Sequence, residues 1–273
     1  MEYAREARNT QYTPMKPELI ERLNQINREF YSTFADSFSE TRSESGREVQ
    51  VILPYIANGA RVLDIGCGNG RVAVMLAEHQ RNVRYVGIDS SPELIARSRT
   101  HAERAGRKSQ VASFWVADIA KPDWTNSLLP EGEPPDGGRW PGMRGFDCIL
   151  LLAVLHHIPG GEVRARIMRQ VRGLLAPGGR ALVSTWQFMD NERMRKKIVP
   201  WSTVGIDERD LEPGDALLDW KRGGAGLRYC HWIGEDEMRA LAGQAGMQVV
   251  ETFRTGGREG NLSLYGVLAV EAS

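Results

Sequence analysis

Short β-rich runs alternate with amphipathic stretches from residue 61 onward, and no other feature of the sequence restricts the fold as much. Strands are predicted at residues 61–65, 83–89, 113–118, 146–154, 180–186, 247–253 and 262–270, and helices at 71–80, 92–106, 162–179 and 235–246. The run 146–154 is apolar on both faces, which is typical of the buried centre of a parallel sheet. Because strands that alternate with helices form right-handed βαβ units, the sequence predicts an α/β fold with a doubly wound sheet.

Length, charge and cysteine usage exclude several classes of protein. A chain of 273 residues is long enough for one large α/β domain or two small ones. Its 35 Lys and Arg balance its 35 Asp and Glu, which excludes a polycation of the histone type but leaves room for a local basic patch. Cys67, Cys148 and Cys230 are far apart and form no C-x-x-C pair, so we expect neither a disulfide framework nor a metal site.

No segment of the sequence predicts export or membrane insertion. Residues 1–14 are charged and polar, unlike a secretory signal. The longest apolar run, residues 148–155, is too short to span a bilayer. We therefore expect a cytoplasmic protein with no membrane partner.

Three segments interrupt the alternation of strands and helices. Residues 1–45 are polar with apolar side chains at helical spacing, and are predicted to form a helical N-terminal lid on a main domain of residues 46–273. Residues 188–229 carry both signs of charge between two core strands, which indicates an insertion. Residues 120–145 are rich in proline and glycine, which predicts a long loop.

A glycine-rich turn, residues 66–70 (GCGNG), joins the first predicted strand to the first helix and follows Asp64 closely. Such a turn lets a ligand approach the backbone and places it at a helix N-terminus. Arg71 stands where a dinucleotide fingerprint needs glycine, and no Gly-Lys-Ser/Thr of a Walker loop follows. The pattern favours a nucleotide-like cofactor; the alternative is a turn that only packs strand against helix.

Acidic residues follow the next two strands. Asp89 is placed to accept both hydroxyls of a ribose, and Asp118 to accept from an adenine amine while Ile119 packs on the ring. Taken alone, Asp89 is equally suited to capping a helix, as are Ser90 and Ser91. Because the carboxyl ends of parallel strands meet at one edge of a sheet, the three segments together predict a ligand site.

With these pieces the chain resembles the class I S-adenosylmethionine-dependent methyltransferases. The resemblance covers residues 45–187 and 230–271 and rests on DIGCGNG, Asp89, VADIA, FDCILLLAVLHHI and LLAPGGRALVSTW. It implies a Rossmann-like sheet of seven strands, the last antiparallel, and S-adenosyl-L-methionine as the cofactor. The residues implied to hold the cofactor are Tyr31, Arg42, Asp64, Gly66, Cys67, Gly68, Gly70, Asp89, Ser90, Asp118, Ile119, Leu152 and Ala153. Tyr31 and Arg42 would cover the carboxylate of the methionine part of the cofactor. The alternative is that Tyr31 is an ordinary residue of an amphipathic helix and Arg42 a charged surface residue.

A closer resemblance lies outside the cofactor motifs. FSETR (38–42), AVLHHI (153–158), RALVSTWQ (180–187), IVPW (198–201) and RYCHWIGEDEM (228–238) are similar to the eukaryotic tRNA wobble-uridine carboxymethyl methyltransferases. That resemblance implies methylation of a carboxylate oxygen on a modified wobble uridine of tRNA, with a small zinc-binding activator as partner. Cys230 replaces a tyrosine of that family, and the aromatic residue expected before the last strand is absent.

Missing motifs narrow the choice of acceptor. No Asn-Pro-Pro-Tyr/Phe follows the fourth strand and no cysteine follows a proline, so methylation of an adenine amine or of cytosine C5 is not supported. No acid/base pair stands out, which is compatible with a carboxylate that is already nucleophilic. A small-molecule O- or N-methyltransferase stays open as the alternative, as does a non-catalytic cofactor-binding subunit.

Three side chains are predicted to be catalytic or to orient the acceptor: His156, Arg228 and His231. His156 and His157 end the central strand at the cofactor edge; the other interpretation is a helix cap and a packed ring. The basic run 193–197, with Lys221 and Arg222, would meet tRNA phosphates or else form a solvated helix face.

Overall fold

The structure, a computed structural model, describes residues 14–43, 50–79, 81–104, 111–128, 145–221, 224–257 and 259–270. Its helices are α1 (Pro17–Ser43, with side chains described to Phe34), α2 (Arg71–Glu78), α3 (Pro92–Arg104), α4 (Gly161–Leu174), α5 (Glu192–Arg195) and α6 (Glu235–Gln244). Its strands are β1 (Arg61–Ile65), β2 (Arg84–Asp89), β3 (Val111–Val116), β4 (Phe146–Leu152), β5 (Leu175–Trp186), β6 (Ile198–Val199), β7 (Asp215–Trp220), β8 (Gly226–His231), β9 (Met247–Thr255) and β10 (Ser263–Val270).

Seven strands form one sheet in the order β3-β2-β1-β4-β5-β10-β9. β1 to β5 pair in parallel, and β10 runs antiparallel to both β5 and β9. This confirms the predicted Rossmann-like sheet of seven strands with the last one antiparallel. The strand order reverses between β1 and β4, and a ligand crevice is expected at the carboxyl ends of the strands at such a point.

The central strands supply two separate cores, one on each face of the sheet. Leu63 and Leu151 pack on the face covered by α4 and α6, whereas Val62 and Leu150 pack on the face covered by α2 and α3. Neighbouring residues of a strand point to opposite faces, so both faces of a central strand must be apolar. The prediction that the apolar run from residue 146 forms the buried centre of the sheet is therefore confirmed.

The predicted insertion at residues 188–229 contains a second, antiparallel sheet in the order β6-β7-β8. β8 continues to His231, two residues beyond the predicted end of the insertion. Leu217 of β7 and Tyr229 of β8 pack in a small core with Leu23 of α1. The insertion is therefore a platform for α1, a role that its mixed charge did not indicate.

Most predicted elements of the main sheet and its helices form within two residues of their predicted bounds, and the main exception has a local cause. The helix predicted over 162–179 ends at Leu174, and the chain passes directly into β5. Pro177 has no N–H for a helical hydrogen bond and forces the residue before it into an extended conformation. β5 therefore starts five residues earlier than predicted.

Two predictions about the organisation of the chain are tested only in part. The predicted loop at 120–145 begins with a short 3-10 turn, Trp124–Leu128, and residues 129–144 lie outside the described residues. The division into a lid of residues 1–45 and a main domain of 46–273 stays a prediction, with residues 1–13 and 44–49 outside the described part. None of the described helices is both long and apolar enough to cross a membrane.

Candidate functional site

A cavity of about 380 Å³ opens at the carboxyl ends of β1, β2 and β4 and is covered on one side by α1. Its volume lies in the range of about 300–1,000 Å³ that is typical of small-ligand sites. The residues predicted to bind a cofactor that line this cavity are Tyr31, Asp64, Gly66, Cys67, Gly68, Asp89, Ser90, Asp118, Ile119, Leu152 and Ala153. Gly70 does not line it, and the side chain of Arg42 lies outside the described residues.

The chain leaves β1 through a tight turn whose glycines all have positive φ, of 74° at Gly66, 57° at Gly68 and 78° at Gly70. A Cβ at Gly70 would lie 2.8 Å from the Cβ of Ser98, so this glycine allows α2 to pack closely on α3. A Cβ at Gly68 would meet nothing within 4 Å, because the backbone there borders the open cavity. A ligand can therefore approach the backbone of Gly68 closely.

The carboxylate of Asp89 holds this turn in place. One oxygen accepts a hydrogen bond from the N–H of Gly68 and the other from the N–H of Ser91, both at 3.0 Å. The helix cap of α3 is Ser91, whose hydroxyl accepts from the N–H of Leu94 at 3.2 Å. Asp89 is therefore not the cap, and it both shapes the glycine turn and faces the cavity.

The other two acidic residues of the cavity, Asp64 and Asp118, differ in how accessible their carboxylates are to a ligand. Asp64 is almost fully buried and accepts a 2.5 Å hydrogen bond from the hydroxyl of Tyr85, so it mainly anchors the end of β1. Burial, and then the charge of Asp64, raise the pKa of Tyr85 well above its usual range, which keeps this hydroxyl a donor. Asp118 is half-buried, and one oxygen accepts from the N–H of Ala120 at 3.0 Å beside the buried Ile119.

The backbone at Ala153 is strained where β4 meets the cavity. Its φ is +58°, the only positive value for a non-glycine residue in the described part of the chain. This conformation costs an alanine about 1–2 kcal/mol. The N–H of Ala153 is held by both the carbonyl and the hydroxyl of Ser184, at 3.0 and 2.9 Å. Strain of this kind is concentrated at functional sites.

His157, rather than His156, faces the cavity. Its Nδ1 lies 3.2 Å from the carbonyl oxygen of Tyr229, and a carbonyl can only accept, so Nδ1 carries the hydrogen. With Nδ1 as the donor, Nε2 is left to accept, and the hydroxyl of Tyr31 donates to it at 2.8 Å. The basic nitrogen of this imidazole is therefore already engaged by a residue of α1.

Asn27 is a residue of this region that the sequence reasoning missed. It is 7% exposed, and its amide donates to the carbonyl of His157 at 3.0 Å and accepts from the N–H of Tyr229 at 2.8 Å. It also lines the cavity. The signal that could have found it is a single polar residue on the apolar face of α1 formed by Leu23 and Phe30.

The three side chains predicted to be catalytic lie behind the cavity wall and are not among the residues that line it. His156 is fully buried against the ring of Trp186, with the ring centres 5.0 Å apart. The reason is the 3-10 turn at Leu155–His157, which sends neighbouring side chains in different directions. Arg228 and His231 are also buried. The expectation that His156 faces the cofactor edge is corrected, and the roles of all three residues stay predictions.

His231 belongs to a buried ion-pair network that anchors the small sheet to α4 and α6. Its Nδ1 lies 2.7 Å from Asp215 and its Nε2 lies 3.0 Å from Glu237. The guanidinium of Arg164 contacts Glu212 at 2.7 Å and Glu237 at 3.2 Å. Burial and Arg164 lower the pKa of His231, but Glu237 and Asp215 outweigh them and raise it above its ordinary value.

Part of this network has the spacing of a metal site. Ligand atoms of Glu212, Asp215 and His231 lie within 4.8 Å of one another. Arg164 already pairs with Glu212, and the ring of His231 with Asp215, so we interpret the group as part of this network and assign no metal to it.

The cavity residues fit S-adenosyl-L-methionine. The open space above Gly68 admits a ligand against the backbone, which a side chain at this position would fill. Asp89 and Asp118 present carboxylates at neighbouring strand ends, as the hydroxyls of a ribose and the amine of an adenine require.

Comparisons with known proteins agree with this geometry. A family model described as a methyltransferase domain matches residues 38–252. The crystal structure of an S-adenosylmethionine-dependent methyltransferase from Methanosarcina mazei matches with a TM-score of 0.59 at 22% identity, over 81% of this chain and 98% of that chain. At this identity the likeness shows the fold alone.

Curated relatives include enzymes named for different acceptors. The probable tRNA methyltransferase 9B of Mus musculus is 26% identical over 69% of this chain and 36% of its own length. The tRNA (carboxymethyluridine(34)-5-O)-methyltransferase ALKBH8 of Macaca fascicularis is 27% identical over 67% of this chain and 24% of its own length. The trans-aconitate 2-methyltransferase of Azoarcus sp. (strain BH72) is 26% identical over 81% of this chain and 90% of its own length. The chain thus spans about a third, or less, of the two tRNA methyltransferases.

Proposed function

Because this chain belongs to the methyltransferase domain family, we propose that it transfers the methyl group of S-adenosyl-L-methionine to a carboxylate oxygen on a modified wobble uridine of tRNA. The observation that carries the choice of a carboxylate is the hydrogen bond from Tyr31 to His157. An alcohol or ammonium acceptor must lose a proton, and the imidazole on the cavity wall has its basic nitrogen engaged. A carboxylate is ionised at neutral pH and needs only positioning and exclusion of water.

The names of two relatives support the same chemistry. Carboxymethyluridine and trans-aconitate, the acceptors in those names, both carry a carboxylate. The two relatives are otherwise named for very different molecules, a tRNA and a small acid. Both relatives are therefore named for an acceptor with a carboxylate, and this supports the proposed reaction. The choice of tRNA as the molecule that carries the carboxylate needs separate support.

When bound, S-adenosyl-L-methionine supplies a methyl group activated by the positive charge on its sulfur. The backbone at Gly68 and the carboxylates of Asp89 and Asp118 would hold it, with Ile119 against its adenine. Tyr31 on α1 lines the same cavity and would help to exclude water from the bound cofactor.

The tRNA as acceptor has support beyond the cofactor motifs. The match to the mouse tRNA methyltransferase covers 191 residues, about twice the stretch from Arg61 to Leu152 that builds the cofactor side of the cavity. Exposed cations on and beside α5, among them Arg193 and Lys196, offer contacts to phosphates. Lys196 is paired with Glu192 on the same helix, which weakens this basic surface.

A small metabolite with a carboxylate is the second candidate. It is favoured by the balance of 35 basic and 35 acidic residues, since tRNA-binding surfaces are usually basic, and by the 90% coverage of the trans-aconitate methyltransferase. A tRNA and a small metabolite would present the same carboxylate to the same cavity. They differ in whether the rest of the acceptor extends beyond the cavity onto the protein surface.

The experiment is methyl transfer from labelled S-adenosyl-L-methionine, with bulk tRNA and a small-metabolite extract offered in parallel. Label in tRNA that mild base releases identifies an ester and supports the proposal. Label only in the small-molecule fraction overturns the tRNA part, and label in neither fraction favours the non-catalytic subunit. The Gly68→Val variant, in which cofactor binding is expected to be abolished, serves as the control. Transfer by the isolated chain would also show that the predicted zinc-binding activator is not needed.

A further inference from the structure

Arg228 of β8 is a buried cation inside a box of aromatic rings. Its side chain is 2% exposed. The guanidinium carbon lies 4.3 Å from the ring centre of Trp186, 5.2 Å from that of Phe30 and 5.3 Å from that of Trp220. These rings come from β5, α1 and β7, so three separate elements converge on one charge.

Two nitrogens of this guanidinium, Nε and Nη1, are buried without a hydrogen-bond acceptor in the part of the chain that the structure describes. Aromatic rings attract a cation, but they do not replace an oxygen acceptor in the plane of the guanidinium. Arg164, which is equally buried, contacts Glu212 and Glu237 and donates to a backbone carbonyl. A buried charge left without such partners is costly, which indicates that an anion binds to Arg228.

The surroundings of the aromatic box carry excess positive charge. The ammonium of Lys197 lies 5.8 Å from the ring centre of Trp220. Partial burial, and then the charges of Arg228 and Arg193, lower the pKa of Lys197, and the carboxylate of Asp219 offsets them only in part. The field at this place therefore favours an anionic ligand.

The box lies one layer of side chains away from the cavity. The ring of Trp186 meets that of His157 at 5.5 Å, and the ring of Phe30 meets that of Tyr31 at 5.1 Å. His157 and Tyr31 both line the cavity. An acceptor that reaches this pair lies against the rings that enclose Arg228, and one of these rings must turn aside before a carboxylate can contact the guanidinium.

We propose that the guanidinium of Arg228 binds the carboxylate of the methyl acceptor and selects acceptors that carry this group. The inference rests on the proposed methyl transfer to a carboxylate, and not on the acceptor being tRNA. Charge-assisted hydrogen bonds from a guanidinium are among the strongest that a carboxylate can accept in a protein. Esterification removes the charge that Arg228 binds, which favours release of the product.

The test compares binding of carboxylates with that of their neutral amides, measured by calorimetry on the chain loaded with S-adenosylhomocysteine. The probes are 5-carboxymethyluridine and its carboxamide, and phenylacetate and phenylacetamide. Wild type is expected to prefer the carboxylate of a pair by about tenfold or more. Arg228→Met is expected to lose this preference, and Arg228→Lys to keep part of it. Arg169→Met, the same change at an exposed arginine of α4 that lies outside the box and the basic surface, is the control and should keep it.

The outcomes separate this inference from the proposed substrate. Preference for phenylacetate alone supports Arg228 as the carboxylate site and counts against the nucleoside as acceptor. No preference in wild type for either carboxylate overturns the inference, as does an Arg228→Met variant that keeps it. The affinity of each variant for S-adenosylhomocysteine shows that it is folded; if Arg228→Met does not fold, Arg228→Lys decides, and an undiminished preference in it overturns the inference.

Discussion

The hydroxyl of Tyr31 donates a 2.8 Å hydrogen bond to Nε2 of His157, a residue 126 positions further along the chain. Their rings also meet edge to face, with the centres 5.5 Å apart. The bond joins α1 to the turn that follows β4. The helix that covers the cavity is thereby fastened to the sheet edge that forms its floor, so the position of α1 and the shape of the cavity are coupled.

Replacement of Tyr31 by Phe should weaken this coupling. The variant keeps the ring and loses one hydrogen bond, so we expect the free energy of unfolding to fall by about 0.5–1.5 kcal/mol. Urea unfolding measures this loss. Ser32→Ala is the matched control, because Ser32 also lines the cavity but its hydroxyl donates to the carbonyl of Glu29 in its own helix and does not join α1 to the sheet. Equal stability of Tyr31→Phe and wild type would contradict the coupling.

Asp89→Ala should weaken the binding of S-adenosyl-L-methionine by about 1–3 kcal/mol, the value of hydrogen bonds to a charged group. The loss has two sources, the contact with the cofactor and the support that Asp89 gives to Gly68. Isothermal titration calorimetry measures the affinity. Asp123→Ala removes an exposed carboxylate from the segment after β3 and should leave the affinity unchanged. A normal affinity for Asp89→Ala would remove Asp89 from the site.

Gly68→Val should abolish cofactor binding while the fold survives. The new side chain would fill the space over the turn and also adopt a φ of +57°, which costs about 1–2 kcal/mol. Gly205→Val is the control, since Gly205 has a φ of +68° and a Cβ there also meets nothing within 4 Å. Both variants carry the same backbone strain, and only Gly68 lines the cavity. If Gly68→Val binds the cofactor as well as Gly205→Val does, the ligand lies elsewhere.

Stability should depend on the protonation of His231. The folded-state pKa of His231 is raised above its unfolded value of about 6.5, so its contribution is complete below that pH and is lost as the pH rises through the folded pKa. We expect the free energy of unfolding of wild type, relative to His231→Gln, to fall as the pH is raised from about 6. Urea unfolding over a pH series measures it. Glu237→Gln removes one carboxylate partner and should reduce the slope; a slope equal in wild type and His231→Gln would contradict the assignment.

The cofactor side of the site could be predicted because it is encoded locally. The turn at residues 66–70 needs glycines, and it follows a strand and precedes a helix whose periodicities are clear. Asp89 and Asp118 follow the next two strands, and parallel pairing brings those strand ends to one edge. The hydrophobic pattern and the parallel topology were therefore enough to predict the position of these residues, because no specific side-chain contact between distant segments was needed.

The acceptor side could not be read in the same way, because it depends on contacts between distant segments. His156 and His157 are neighbours in the sequence, and only the 3-10 turn at Leu155–His157 decides which of them faces the cavity. The box around Arg228 needs Phe30, Trp186 and Trp220 from three elements. The strands of the small sheet were missed because β6 has only two residues and β7 is bounded by charged segments.

Asn27 has a consequence for the order in which the protein is made. Its two hydrogen bonds reach His157 and Tyr229, which lie 130 and 202 positions further along the chain. At a synthesis rate of about 5–20 residues per second, Asn27 is synthesised roughly 10–40 s before its second partner, Tyr229, exists. During that interval the apolar face of a helix has no platform to cover it. α1 is therefore synthesised well before the residues on which it docks, and it can take up its final position only after β8 has formed.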